Sequence, residues 1–456
     1  MRVEFKLMMR KPYCFITHNE TSQSAAVRET PKSVAYWLYG IAGATIVAVS
    51  LGGITRLTES GLSMTSWHLI KDITCPTSEE EWQQEFERYK TFPEYEAVHS
   101  DLTLDGFKFI YYMEWGHRNW GRSIGVMFLL PFLGFAASKK LSPQVFKRTL
   151  GLGCLLGFQG GLGWYMVKSG LETPQDPNGP VRVSPYRLCA HLGTAFTFFV
   201  GSLWTALDIS FHNRGQPTAL PDHRLTNVLK KKSIALAAFT FFVAMSGAFV
   251  AGNDAGMVYG TYPKMGNDWI PSDYWDKQLS KVRNMFENST AVQFNHRTFA
   301  HLLILGVTSC WFMGRKAGLI GRPMMFLNAA MALVYLQACM GIGCLLYEVP
   351  VPLGAAHQLG SVFLLDRVLG SRQDIFNKNL LKWIGIILGV VLAFVIAAAC
   401  LYQRKRAAVN PLEALKSRQS KDSTKHFDVN KAIRAHDARM ATLGRKYGDD
   451  GHLISV

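Results

Sequence analysis

Four histidines occupy matching places in two halves of this chain, and their surroundings limit what chemistry they can do. Residues 113–125 read "MEWGHRNWGRSIG", which puts Glu114, His117, Arg118 and Arg122 at the mouth of an apolar run. Charged groups beside lipid are costly, so they usually mark a site. "LCAHLGTAF" places His191 at the start of another such run, "QFNHRTFAHLLI" places His296 and Arg297, and "GAAHQLGSV" places His357. Each half therefore offers two imidazoles from alternate helices. Two facing imidazoles in an apolar four-helix bundle can hold a planar iron macrocycle between them. Zinc suits the set less well, because it wants a third or fourth ligand and no cysteine or paired carboxylate joins the histidines. Any single histidine could instead be a packing residue. His301, which has no histidine counterpart, is read that way, and His18, His68, His99, His212, His223, His426, His436 and His452 are read as loop residues.

Glu114 lies three residues before His117, on the same helical face. Its counterpart in the other half is Gln293, which is uncharged. That asymmetry points to division of labour, with one site that reacts and one that stores or relays electrons. A partly desolvated carboxylate can orient a substrate, move a proton or stabilise a cationic intermediate. The plainer alternative is an acid at a solvated loop edge. Arg118 and Arg297 directly follow their histidines. They fit either as partners for the anionic propionates of a haem or as interfacial anchors.

These residues need membrane-spanning elements to hold them. The chain has 456 residues, 48% hydrophobic and 18% charged, against roughly 25% charged in an ordinary soluble domain. Apolar runs predict spans at 34–55, 118–136, 149–167, 189–207, 233–252, 297–314, 323–346 and 353–370, with a further apolar segment at 383–402. The fold class expected is an all-α polytopic membrane protein built as two tandem four-helix bundles. "EWGHRNWGRSIG" matches "QFNHRTFAHLLI", "GFQGGLGWYMVKSGL" matches "YLQACMGIGCLLYEV", and "LCAHLGTAF" matches "GAAHQLGSV", in the same order. Four crossings return the chain to its starting side, so the repeats are parallel. The expected layout is an N-terminal segment at 1–33, bundles at 34–210 and 233–370, an inner loop at 211–232, the extra apolar segment at 371–402 and a polar basic tail at 403–456.

The net charge of +16 is not a nucleic-acid signature, because the basic residues sit in short loops and tails between apolar spans. It reads as topology. The connection 56–116 holds twelve acids and five Lys or Arg, whereas "SKKLSPQVFKR", "LKKK" and "GRKAGLIGR" are basic. Lys and Arg excess marks the inner side, so the N-terminus is expected inside. The eight cysteines form no CxxC and most fall within spans, so no disulfide framework is expected. The first 33 residues are mostly basic with Ser and Thr, weakly like a mitochondrial presequence, although Glu4 and Glu20 break the pattern and a plain cytosolic tail fits almost as well.

Taken together, "LGGITRLTESGLSMTSW", "EWGHRNWGR", "GFQGGLGWYMVKSGL", "AHLGTAF", "AGNDAGMVYGTYPKM", "FNHR" and "AAHQLGS" resemble the haem A synthase family in its mitochondrial form. The likeness runs in order over roughly residues 34–365. It implies two related four-helix bundles, with His117 and His191 flanking the substrate haem O and with His296 and His357 ligating a haem b. It implies that Glu114 matches the family's catalytic acid. The implied reaction oxidises the C8 methyl of haem O to a formyl group by successive hydroxylations, giving haem A for cytochrome c oxidase. Implied partners are membrane lipid, a ferredoxin-type electron donor, a haem O synthase and the oxidase assembly machinery, with homo-oligomers left open and no nucleic acid. The implied location is the mitochondrial inner membrane, with the N-terminus in the matrix. The outer loop lacks the cysteine pair of some bacterial members. Two other readings stand beside this one. The first is a bis-histidine di-haem electron carrier with no haem substrate. The second is a repeat-built transporter whose histidines relay protons.

Overall fold

The computed structural model describes residues 30–171, 182–211 and 223–370, all within one compact unit. The N-terminal segment before residue 30, the apolar segment at 383–402 and the tail at 403–456 lie outside the described residues. Long helices dominate, and among the described residues there is no strand, only an isolated bridge between Met265 and Asp268. The first half contains α1 (Lys32–Leu57), two short helices α2 (Glu79–Lys90) and α3 (Pro93–Val98), then α4 (Leu104–Ala137), α5 (Pro143–Gly170) and α6 (Pro185–Phe211). The second contains α7 (His223–Gly252), the short α8 (Lys281–Glu287), then α9 (Ser289–Lys316), α10 (Arg322–Leu346) and α11 (Val351–Gly370).

Local chemistry sets the helix starts. Ser142 accepts from the Val145 N–H ahead of α5, with Pro143 in the first turn. Asn288 accepts from Thr290 and Ala291 ahead of α9. Two spans begin earlier than the apolar runs predict. Helix α4 starts at Leu104, where Thr103 accepts from the Gly106 N–H, so the expected span at 118–136 is only its later part. Its first turns are held by the cap described below rather than by lipid. Helix α9 likewise begins at Ser289 rather than 297. Among the described residues, six helices (α1, α4, α5, α6, α7 and α10) are long and apolar enough to cross a membrane. Helices α9 and α11 are less apolar. The first carries Gln293, Asn295, His296, Arg297 and His301, and the second carries Asp366 and Arg367.

In each half the four long helices form a ring: α1 with α4, α4 with α5, α5 with α6, and α6 back to α1; then α7 with α9, α9 with α10, α10 with α11, and α11 back to α7. Helix α6 also packs on α7, and α11 packs on α1. These are equivalent pairings, so the halves meet through a pseudo-twofold face. One apolar core runs through that face, with Ile46 and Val49 of α1, Phe196 and Leu203 of α6, Val243 of α7 and Val362 of α11. The charged Asp366 and Arg367, which look misplaced in an apolar run, point into the protein. They are nearly fully buried, lie 3.5 Å apart, and Arg367 sits over the Phe326 ring. Pairing inside the protein offsets part of the cost that each charge would carry alone in lipid.

A cap of α2, α3 and the first turns of α4 covers one end of the first bundle. Its core joins Met64, Trp82, Phe86, Tyr89, Phe107, Ile110 and Tyr111. Ser78 and Glu81 form a capping box at the start of α2, and Lys108 of α4 pairs with Glu79 at 2.7 Å. Inside it, the Tyr89 hydroxyl donates to Glu94 at 3.0 Å. Burial, reinforced by the nearby Glu114 and Glu59 carboxylates, pushes the Glu94 carboxyl up to about 8. The folded cap therefore holds a proton that the unfolded chain gives up above the ordinary carboxylate range. Its contribution is complete below the unfolded value and is lost as pH rises through the folded one. Hydrogen-exchange protection of residues 79–98 should fall between about pH 5 and pH 8. Glu94→Gln should flatten that dependence, and an unchanged slope would show that the proton sits elsewhere.

Candidate functional site

The four repeated histidines come together as two pairs. His117 of α4 faces His191 of α6, with ring centroids 6.5 Å apart and planes crossing at 78°. His296 of α9 faces His357 of α11 at 6.4 Å and 90°. Iron–imidazole bonds of about 2 Å, plus roughly 1.1 Å from nitrogen to ring centre on each side, need a centroid separation of about 6.2 Å. Both pairs meet that spacing. Among the described residues no three His, Cys, Asp or Glu side chains gather around one point, so each pair stands without a third ligand of those types. That favours a group whose equatorial ligands come from a macrocycle.

Each ring is seated on a glycine of a neighbouring helix. A Cβ at Gly52 of α1 would lie 2.9 Å from His117 Cε1, and one at Gly247 of α7 would lie 3.1 Å from His296 Cε1. A Cβ at Gly163 of α5 would lie 3.3 Å from His191 Cε1, and one at Gly341 of α10 would lie 3.0 Å from His357 Cε1. A methyl group there would press the ring out of position, so these four glycines are there for close approach. Glutamine ties add to the seat. Gln159 Nε2 donates to the His191 carbonyl at 2.9 Å, and Gln337 Nε2 donates to the His357 carbonyl. Thr194 donates to Gln159 Oε1, whereas Gly360 stands in the matching place and leaves Gln337 Oε1 without a partner.

Glu114 is fully engaged. Arg118 donates to its Oε1 at 2.6 Å, while the Ser63 hydroxyl and the Met64 N–H donate to its Oε2 at 2.8 and 2.7 Å. The pair is almost completely buried, with side-chain exposures of 3% for Glu114 and 7% for Arg118. Arg118 also donates to the carbonyls of Met64 and Ser66, so Glu114 and Arg118 staple the loop after α1 onto α4. The second half repeats the staple with reversed polarity. Gln293 Nε2 donates to the Ala255 carbonyl at 2.7 Å, and its Oε1 accepts from Arg297 at 3.0 Å. Arg297 also donates to the carbonyls of Tyr259 and Thr261. One loop presents donors and needs an acid; the other presents carbonyls and needs an amide. The sequence shows the Glu/Gln difference but not this reason for it.

The remaining histidines whose side chains are described stay out of the pairs. His301 contacts Tyr262 and the Arg297 carbonyl, His68 pairs with Asp72, and His99 contacts the Glu59 carbonyl. The described cysteines, Cys75, Cys154, Cys189, Cys310, Cys339 and Cys344, are all free. Gly163, Gly341 and the two glutamines were visible in the sequence only as members of the repeat, and Gly52 and Gly247 lie outside the matched segments. Spacing alone did not give them a role.

A family model described as COX15-CtaA, cytochrome oxidase assembly protein, matches residues 35–369. A human protein named "Heme A synthase COX15" is 47% identical over 337 residues, covering 74% of this chain and 81% of its own. The Saccharomyces cerevisiae protein of the same name is 44% identical over 363 residues, covering 75% of each chain. A Schizosaccharomyces pombe protein named "Heme A synthase-mitochondrial ferredoxin fusion protein" is 38% identical over 386 residues, covering 78% of this chain and 62% of its own. With a family match across nearly all its described helices and two histidine pairs at iron-bridging distance, this chain belongs to the COX15-CtaA family of cytochrome oxidase assembly proteins.

Proposed function

We propose that this protein is a haem A synthase, a mitochondrial multi-pass membrane oxidoreductase that converts the C8 methyl of haem O to a formyl group by successive hydroxylations. The observation that carries this reading is the pairing of His117 with His191, at a separation that admits one iron between them, beside the acid that the second half lacks. His117 and His191 grip the substrate haem O. His296 and His357 hold a resident haem b, which when bound supplies one-electron chemistry that no side chain can. Haem A then serves cytochrome c oxidase, in keeping with the family description.

The residues divide the work. The glycine seats fix the imidazole planes, and the Gln159 and Gln337 amides lock the backbone behind His191 and His357. Glu114 stands one helical turn from His117 and holds the loop that closes this end of the bundle. Arg118 and Arg297 are the proposed partners of haem propionates. The Arg297 Nε is buried and has no partner, which leaves it a donor for an anionic group. A ferredoxin-type protein is the proposed electron donor, because one relative carries a ferredoxin fused to it. The inner membrane is the proposed location, and the basic loops point to an N-terminus on its matrix side. A haem O synthase is the proposed source of substrate.

The test is to purify the full chain after expression with ample haem and extract its pigments. Haem b, together with haem O or haem A, is the expected yield. Haem b alone, with no haem O turned over when a reduced ferredoxin is supplied, would make the protein an electron carrier, and a colourless protein would end both readings.

A further inference from the structure

The two pairs differ behind their first imidazoles. Ser246 precedes the seat Gly247, and its Oγ lies 2.7 Å from His296 Nδ1. The same hydroxyl donates to the Val243 carbonyl at 2.7 Å. A serine has one hydroxyl proton, and the carbonyl can only accept. With its proton on the Val243 carbonyl, Ser246 Oγ accepts from His296 Nδ1–H, the tautomer we assign from this network. This leaves the His296 Nε2 lone pair free for a metal. In the first half, Leu51 precedes the seat Gly52 and has no polar atom to offer. His117 Nδ1 is buried there without a hydrogen-bond partner. His191 Nδ1 and His357 Nδ1 are likewise unpartnered. One ligand of the four is thus anchored by a side chain.

Resting on the haem assignment above, we infer that Ser246 is a positioning residue that fixes the tautomer of His296 and strengthens it as an iron ligand, so that the second pair keeps its haem while the first, with Leu51, releases its occupant. A hydrogen bond from the outer ring nitrogen raises the basicity of the liganding one and holds the ring plane. A more basic ligand favours the ferric state, lowering the potential and slowing dissociation. Those are the properties an internal electron donor needs. A site that must take in haem O and let haem A go needs the reverse. Leu51 supplies an apolar wall and no anchor.

The experiment compares full-length wild type, Ser246→Ala, Ser246→Thr and Leu51→Ser in optical redox titrations and in haem transfer to apomyoglobin. Ser246→Ala should shift the haem b midpoint to more positive potential, changing the oxidised-to-reduced ratio at fixed potential about tenfold, about 59 mV for one electron. Haem b loss to apomyoglobin should quicken about tenfold. Ser246→Thr, which keeps the hydroxyl, should restore both. Leu51→Ser should slow pigment loss from the first pair, and it tests the same idea if Ser246→Ala does not fold. Haem b bound in Ser246→Ala with unchanged midpoint and loss rate would overturn the inference. So would a shift that threonine fails to reverse, since that would trace to packing. A wild-type protein that holds no haem b would instead sink the haem assignment itself.

Discussion

Glu114→Gln should reduce haem A formation at least about a hundredfold and leave haem O, or a partly oxidised haem, in the purified protein. The loss follows from a buried pair with one partner discharged. Arg118 would keep its full charge at 7% side-chain exposure, facing only an amide and two backbone carbonyls. Breaking such a pair on one side costs about 3–5 kcal/mol, which is about two to four powers of ten in the equilibrium that keeps the loop closed. Glutamine also brings an NH2 group into a site where the Ser63 hydroxyl, the Met64 N–H and Arg118 all donate. One of those donors must then lose its acceptor. Hydrogen exchange should speed at residues 60–66 in step with the loss of turnover. The mirror substitution, Gln293→Glu, should loosen the other loop, because it sets a carboxylate against the Ala255 carbonyl 2.7 Å away. Normal haem A formation in Glu114→Gln would remove Glu114 from the mechanism. A loop that stays protected while turnover fails would place the carboxylate in the chemistry itself rather than in closure.

His357→Ala should empty the second pair. His296 would keep its Ser246 contact but face a void where an imidazole stood 6.4 Å away. A haem held by one axial ligand binds more weakly and changes spin state. A ligand present at about a thousand times its dissociation constant stabilises its protein by about 4 kcal/mol, so losing it should lower the thermal midpoint by several degrees. The measurement is the haem b to protein ratio, with the spectrum and the melting curve. Haem A formation should fall to background, since reducing equivalents lose their internal holder. His117→Ala is the paired control, expected to keep haem b and lose haem O. If His357→Ala retains a full complement of low-spin haem b, the assignment of that haem to the second pair is wrong.

How much of this was legible beforehand depended on the range of the interaction. The Gln159 and Gln337 pair illustrates the limit. Both stood out as repeated positions, yet their use, holding the backbone carbonyl of a histidine on the next helix, needed the helix packing to appear. Asp366 and Arg367 show the opposite case. Two charges in an apolar run are costly if they face lipid, and the packing of α11 turns them into a buried pair over Phe326. Helix α4 was under-read because hydropathy measures lipid contact, while Phe107, Ile110 and Tyr111 are buried against the cap.

The sequence alone determined the helical class, the duplication, the four histidines that pair and the acid that one half has and the other lacks. Those features are written in composition, period and order, which survive in one dimension. Tertiary structure alone decided that the histidines sit at iron-bridging distance, that glycines on other helices receive their rings, and that Glu114 is neutralised by Arg118 and bound to a loop fifty residues away. These depend on which helix faces meet, and a hydrogen bond across 50 residues leaves no period in the chain that could announce it.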